Sequence, residues 1–386
     1  MKFAGWALVW AAAACGGPAA VDVAADAAAG DVVPVDGGDG ADLAAIDAAD
    51  ATADAAAVDA AADVPADAAP ADVPAVADTA ADAVLTEIAG DAAAQPPGLT
   101  ADFRGWLAAH GYDVAALARD DLVGGSFGGR AAAGETLTHD PVVFIHGNSD
   151  LALGTATGQT GWTASRAWFL AHGYTNAELY ATTWGPADAT LAAQQDHSRK
   201  NVLQLRHFVE AVLAYTGAAK IDIISHSMGV TLARKVVLGG AAMDPGDGGA
   251  YDVGAPLSGK VDTFVGIAGA NLGLTTCFLT GPTTPTCGAQ NGLYPGTLVA
   301  TQVVGRSAYL DDLLAQSGFE GAFRYSIWSS VDEIIGYGDI VYGQPTSRLA
   351  GQTAEITYAA VPYGHFGLKD LTAAAQLDLV LNHKTP

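Results

Sequence analysis

The stretch Ile221-Asp222-Ile223-Ile224-Ser225-His226-Ser227-Met228-Gly229-Val230 sets one serine at the junction of two hydrophobic patterns. Before it, Ile221, Ile223 and Ile224 are β-branched and read as a buried strand; after it, Met228, Val230, Leu232, Ala233, Val236 and Val237 recur at helical spacing. A serine at so abrupt a strand-to-helix corner has its hydroxyl held out in the open, where it can serve as a nucleophile. The corner also needs small residues two positions to either side, because backbone segments nearly touch there. Ser225 and Gly229 meet that need, with serine in the first glycine position of G-x-S-x-G. A hydroxyl alone is a poor nucleophile, so the chain must also supply an imidazole to take its proton and a carboxylate to orient the imidazole.

At strand-to-helix serine sites of this kind the chain order is serine, acid, histidine. Only His365 and His383 follow Ser227. His383 lies beside Lys384 at the end of the last helical pattern. His365 lies in Tyr363-Gly364-His365-Phe366-Gly367, a glycine-flanked loop between a strand and the last helix, and is the candidate base. Asp244, Asp247 and Asp252 fall in a Gly/Pro-rich loop just after the serine's helix, and Asp311 and Asp312 in a solvated helical stretch. Asp332 follows the strand Tyr325-Ser326-Ile327-Trp328-Ser329 and emerges at its carboxyl end. It is the candidate acid, with Glu333 its main rival and Asp339 a weaker one. Attack on a carbonyl creates a negative oxygen that needs backbone N–H donors. The candidates are Met228, next after the serine, and Asn148, in the loop after His146-Gly147. His146 precedes the serine and His226 sits on the turn itself; both read as structural. His110, His139, His172, His197 and His207 show no ligand spacing, so no zinc is expected and no residue is assigned as a metal ligand; the scattered aspartates leave calcium open. No cofactor is expected either. Gly124-Gly125-Ser126-Phe127-Gly128-Gly129 lacks the Lys-Ser/Thr of a phosphate loop and the spacing of a dinucleotide site, and reads as a surface loop.

The elements that must position these residues alternate. Strands are expected at 141–146, 177–184, 221–226, 261–268, 323–329 and 354–361, six in all. Helical spacing runs from Trp162 to Leu170, from Val202 to Leu213 and from Leu371 to Leu381. Such alternation implies crossover connections and a mainly parallel sheet flanked by helices. Sites in such sheets lie at the carboxyl ends of the strands, where Asn148, Ser227 and Asp332 all fall. Trp162, Trp184, Leu274, Phe278 and Tyr294 could line an apolar groove or simply fill the core. The segment 278–322 is a long insertion between strands, either a cover for the site or decoration.

The first 15 residues read as an export signal: Lys2, an apolar run from Phe3 to Trp10, then small residues. Ala12-Ala13-Ala14-Cys15 has the form of a lipobox, with Ala where Leu is usual, so Cys15 is the expected lipidation site and the protein an exported lipoprotein of the outer membrane or cell surface; the alternative is an ordinary cleaved signal and an extracellular protein. Residues 16–98 are an Ala/Asp-rich linker, expected to be disordered and extended. Between Pro18 and Gly98 stand 17 acidic residues and no Lys or Arg, leaving −8 of the formal charge of −25 for the rest of the chain. This charge argues against nucleic acid as a partner; no pattern in the chain fixes an oligomeric state. In an exporting compartment Cys277 and Cys287, ten residues apart, can pair. The remaining 99–386 is long enough for one large α/β domain.

In combination, the stretches 141–150, 161–184, 209–240, 261–277, 325–335 and 361–370 resemble the class 2 lipase family of α/β-hydrolases, in its longer branch of nematode and bacterial secreted lipases. The likeness spans about 99–384. It implies an α/β-hydrolase fold of about six mainly parallel strands, Ser227, Asp332 and His365 as the triad, and Asn148 and Met228 as the oxyanion amides. It also implies a lipid or other carboxylic ester, foremost a triacylglycerol, as substrate. His146-Gly147-Asn148, Ser227-Met228-Gly229-Val230 and the region 273–292 are similar to extracellular polyhydroxybutyrate depolymerases too, which keeps a polyester as an alternative substrate. The alternative of another class is an inactive hydrolase fold serving as a surface binding lipoprotein. Such degenerate domains usually lose the serine or the histidine, and here both are present.

Overall fold

A computed structural model describes residues 97–385, Gly336 excepted. The expected export signal, Cys15 and the linker up to residue 96 lie outside the described residues. A sheet of eight strands runs through the rest: Gly98–Leu99 (β1), Ser126–Gly128 (β2), Val142–Ile145 (β3), Leu179–Thr182 (β4), Ile221–His226 (β5), Val261–Ile267 (β6), Phe323–Ser329 (β7) and Ala354–Tyr358 (β8). Their spatial order is β1-β2-β4-β3-β5-β6-β7-β8. All neighbours are parallel except β2 and β4, which pair antiparallel through Ser126–Thr182 and Phe127–Ala181. The six expected strands are present, and the expected count is corrected to eight. The two additions are two and three residues long and carry no hydrophobic run. The surface loop expected at 124–129 is corrected as well: Ser126–Gly128 is fully buried. Gly128 (φ 124°) brings its backbone so close to β4 that a Cβ there would lie 2.6 Å from the Leu179 carbonyl oxygen. Glycine here marks close packing, not exposure.

Every residue of β3, β4 and β5 is buried. Successive strand residues face opposite sides of a sheet, so full burial requires cover on both faces. The helices supply it. Ala101–Ala109 (α1) and Arg199–Thr216 (α3) pack together, and α3 packs on Met228–Leu238 (α4). Thr163–Ala171 (α2) packs against His365–Asp370 (α6) and Ala373–Asn382 (α7). Local signals set their ends: Thr100 caps α1 by accepting from Phe103 N at 3.2 Å, and Gly217 (φ 71°) closes α3. Trp162, Trp184, Phe103, Phe144 and Phe264 fill the core with the aliphatic strand residues. Each such side chain contributes about 1.5–3 kcal/mol when fully buried.

The helix α4 is buried on every side, charged residues included. Arg234 pairs with Glu320 at 2.9 Å and donates to Asn271 Oδ1 (3.1 Å) and Leu313 O (3.0 Å). Lys235 pairs with Asp312 at 2.7 Å. Both carboxylates come from the insertion between β6 and β7, which is thereby fastened over α4. The insertion carries Ala308–Leu314 (α5), a hairpin of Thr297–Val299 and Gln302–Val304, and a disulfide between Cys277 and Cys287.

At its start α4 runs hard against the end of β3. A Cβ at Gly229 would lie 2.2 Å from His146 O and 2.7 Å from Ile145 O. Glycine to alanine in an open helix stabilises by about 1 kcal/mol. At position 229 we expect the opposite sign: Gly229→Ala lowers stability by about 1–3 kcal/mol, through overpacking against backbone that cannot yield. Urea unfolding of the two proteins checks this, and an alanine variant as stable as the parent contradicts it.

Candidate active site

Ser227 sits between β5 and α4 with φ 56° and ψ −131°, a backbone region that non-glycine residues seldom enter. Strain of this kind persists only where the surroundings over-determine it. Ser227 N donates to Ile267 O at 2.8 Å, tying the corner to β6, and Val230 N donates to Ser227 O at 3.0 Å. From the other side Gly147 leaves no room: a Cβ there would be 2.9 Å from the Ser227 Cβ. Ser225, the departure from the glycine pattern, is wholly buried, and its hydroxyl donates to Val265 O at 3.2 Å. A satisfied serine fits where glycine is usual.

The expected acid and base are in contact. His365 Nδ1 donates to Asp332 Oδ2 at 2.9 Å, and both residues are buried. The other oxygen, Asp332 Oδ1, accepts from Ile334 N (2.8 Å) and Ile335 N (2.9 Å). The carboxylate is therefore fully committed, and its bond to Nδ1–H leaves Nε2 as the accepting nitrogen of the neutral ring. Burial pushes the His365 imidazole down, but the Asp332 carboxylate, with Glu333 and Asp339 behind it, outweighs burial and raises its pKa above the ordinary value.

The two rival acids have other tasks. Glu333 is exposed and accepts from the backbone N–H of His365 at 3.0 Å, so it holds the main chain of His365 and not its ring. Asp339 is buried, accepts from Ser347 Oγ (2.6 Å) and Ser347 N (3.1 Å), and is pushed up to about 7 by burial. His383 is far down the sheet: it stacks on Phe323 at the start of β7 and pairs with Asp262 near the start of β6. Site residues gather at the opposite ends of those strands.

The loop after β3 is tightly built. His146 Nδ1 donates to Gly147 O at 2.7 Å, and its Nε2 accepts from Trp184 N at 3.1 Å. Trp184 stacks parallel on the ring and returns a bond from Nε1 to His146 O. Burial pushes His146 down to about 4, which keeps the ring neutral. Asn148 Nδ2 donates to Ala192 O at 2.9 Å. Among the described residues, the backbone amides of Asn148 and Met228 have no hydrogen-bond acceptor. With Ser227 both residues line one narrow cleft, whose other walls are Ala270, Leu274, Thr286, Leu293, Ile334 and Ile335. His226 Nε2 donates to His365 O at 3.1 Å and its ring lies 4.6 Å from that of His365, so the residue beside the serine touches the base.

Residues 139–378, more than half of the chain, match the family described as Lipase (class 2). The chain belongs to the class 2 lipase family. It is an α/β-hydrolase of the lipase/esterase type. Among solved structures it is similar to lipase B of Aspergillus fumigatus, with 14% identity over 68% of this chain and 57% of that one, at a TM-score of 0.45. It is also similar to the mature lipase BlEst2 of Bacillus licheniformis, with 13% identity over 66% of this chain and 97% of that one, at a TM-score of 0.42. The chain thus matches little more than half the length of the Aspergillus lipase.

In this member of the class 2 lipase family two parts of the cleft wall come from places that residue types alone did not point to. Ile334 and Ile335 belong to the turn that grips Asp332, so one turn both fixes the carboxylate and shapes the cleft. Thr286 and Leu293 come from the insertion, and Thr286 Oγ1 anchors it through bonds to Ala192 O (2.7 Å) and Gln195 O (2.6 Å). Of the five side chains considered for a groove, Leu274 alone lines the cleft. Trp162 and Trp184 are core, Phe278 packs on Tyr342, and the Tyr294 hydroxyl meets Thr297. Among the described residues no three His, Cys, Asp or Glu side chains converge as metal ligands, and no helix is long and apolar enough to cross a membrane.

The charge arrangement sets an expectation for titration. Followed by NMR, the His365 ring will titrate above the ordinary imidazole value of about 6.5. Glu333→Gln removes one of the carboxylates that raise it, so the midpoint moves down. An unchanged or higher midpoint in the variant would contradict the assignment of Glu333 as a charge acting on the base.

Proposed function

We propose that this chain is an exported carboxylic ester hydrolase that works through a serine acyl-enzyme. The observation that carries the reading is the buried Asp332–His365 bond at the same sheet edge as a strained Ser227 flanked by two uncommitted amides. Ser227 Oγ attacks the ester carbonyl while His365 Nε2 takes its proton. The amides of Asn148 and Met228 receive the oxyanion. His365 then returns the proton to the leaving alcohol, and water repeats the cycle on the acyl-enzyme. Asp332 holds the imidazole in the accepting tautomer and stabilises its cation. Full commitment of both Asp332 oxygens suits an orienting role, since its geometry need not change during the reaction.

The apolar walls of the cleft support an ester with an apolar acyl group, foremost a triacylglycerol. The disulfide between Cys277 and Cys287 supports folding in an oxidising compartment, in keeping with an export signal, a Cys15 lipid anchor and a linker at 16–98 ahead of the hydrolase domain.

The test is turnover of p-nitrophenyl butyrate by the full chain. Ser227→Ala is expected to lower kcat by roughly 10⁴-fold or more, and equal turnover by parent and variant sinks the serine assignment. Because the neutral ring is the working form, kcat/KM should rise with pH through the raised pKa of His365. A parallel comparison of triacylglycerol emulsion with amorphous polyhydroxybutyrate decides the substrate: clearing of the polyester alone overturns the lipase reading. Mass analysis of the intact mature protein, without an acyl group on Cys15, would remove the anchor.

A further inference from the structure

One turn beyond His365, α6 carries a lysine that is completely buried. Lys369 Nζ lies 3.0 Å from Asp150 Oδ2, 3.1 Å from Asp370 Oδ1 and 2.7 Å from Thr160 Oγ1, and it also donates to Gly161 O. The cation sits over the Trp162 ring at 5.8 Å. Asp150 is itself buried, and its Oδ1 accepts from Leu151 N (2.9 Å) and Gly161 N (3.0 Å). Thr160 Oγ1 donates in turn to the Asp370 carboxylate at 2.9 Å.

Taking an ammonium out of water is costly, and an apolar side chain of similar volume would commonly be as stable or more so. The placement supplies the reason for a lysine. Asp150 stands two residues after Asn148, in the loop that carries the first amide of the cleft. His365 stands four residues before Lys369 on the same short helix. One ammonium therefore joins the element carrying the base to the loop carrying an oxyanion donor. These two groups must keep their separation while charge moves from serine to carbonyl oxygen, and a misplacement of about 1 Å can cost 10²-fold in rate.

We propose that Lys369 is a positioning residue of this enzyme: its buried ammonium, gripped by Asp150 and Thr160, sets the distance between the His365 base and the Asn148 amide. The proposal rests on the acyl-enzyme reading above, and its test separates the two. In the full chain, Lys369→Met is expected to lower both Tm and kcat on p-nitrophenyl butyrate, with kcat down about 10–100-fold and KM within about twofold. The double variant Asp150→Asn with Lys369→Met removes the stranded charge along with the ammonium. Its Tm should return most of the way to the parent value while kcat stays low. Thr160→Val keeps size and charge but takes one acceptor from the ammonium and one donor from Asp370, so it should lower Tm by about a few degrees and kcat by about threefold or more; it gives a result even if the lysine variants fail to fold. Recovery of kcat together with Tm in the double variant, or an unaltered kcat in Thr160→Val, overturns the positioning role and leaves Lys369 a stability residue. Turnover that survives Ser227→Ala would instead strike at the acyl-enzyme reading, whatever the lysine variants do.

Discussion

The contact on which the rest of this molecule depends is the one between Gly229, at the start of α4, and the carbonyl oxygens of Ile145 and His146, at the end of β3. Because no side chain separates them, helix and strand can meet there. The approach forces Ser227 into its unusual backbone conformation and brings Gly147 against the serine's Cβ. It also sets the amides of Asn148 and Met228 beside one cleft. A corner relaxed by even one methyl group would move Ser227 and the amides of Asn148 and Met228 together. The strain at Ser227 is held by bonds to β6, by the full burial of β5 and by the closed packing of α4.

Around this corner the site is stabilised by bonds among its polar groups, although His226 Nδ1 is buried without a hydrogen-bond partner. Asp332 spends one oxygen on His365 and the other on two backbone amides of its own turn. Glu333 holds the main chain of His365, and His226 reaches across from the corner to the same residue. A buried, fully bonded carboxylate has little freedom to reorganise, which suits the orienting role proposed for Asp332. The insertion is fixed by a like principle. The Arg234–Glu320 pair, the Lys235–Asp312 pair and the Thr286 bonds tie it to α4 and to the loop near Ala192. The wall it contributes to the cleft is thereby part of the scaffold.

Much of this was legible in the chain. Hydrophobic periodicity marks six of the eight strands: β3, β4 and β5 are buried throughout and read as apolar runs, β6 and β7 are mostly buried, and β8, with no buried residue, still alternates apolar and polar side chains. β1 and β2 leave no such mark, because two- and three-residue strands rich in glycine carry no period at all. Ser227, His365 and Asp332 could be chosen by type, order and position at strand ends. The choice of Asp332 over Glu333 rested on placement alone. In the fold the difference is physical: Asp332 reaches the ring nitrogen and Glu333 the backbone N–H. His383 stands near the chain's end, and the fold puts it at the opposite end of the strands, on Phe323.

The amino-acid sequence by itself determined the corner, the alternation of strands and helices, and a single chain order in which serine, acid and base could work. These follow from local rules: side-chain periodicity, glycine where backbones collide, and the fixed order of elements in a parallel sheet. Only the tertiary structure decided which carboxylate meets the imidazole, that Leu293, Ile334 and Ile335 wall the cleft, and that Lys369 meets Asp150 across more than two hundred residues of chain. Those are contacts between segments distant in sequence. Their partners are selected by packing and by the need to satisfy every buried charge, and neither leaves a periodic mark along the chain.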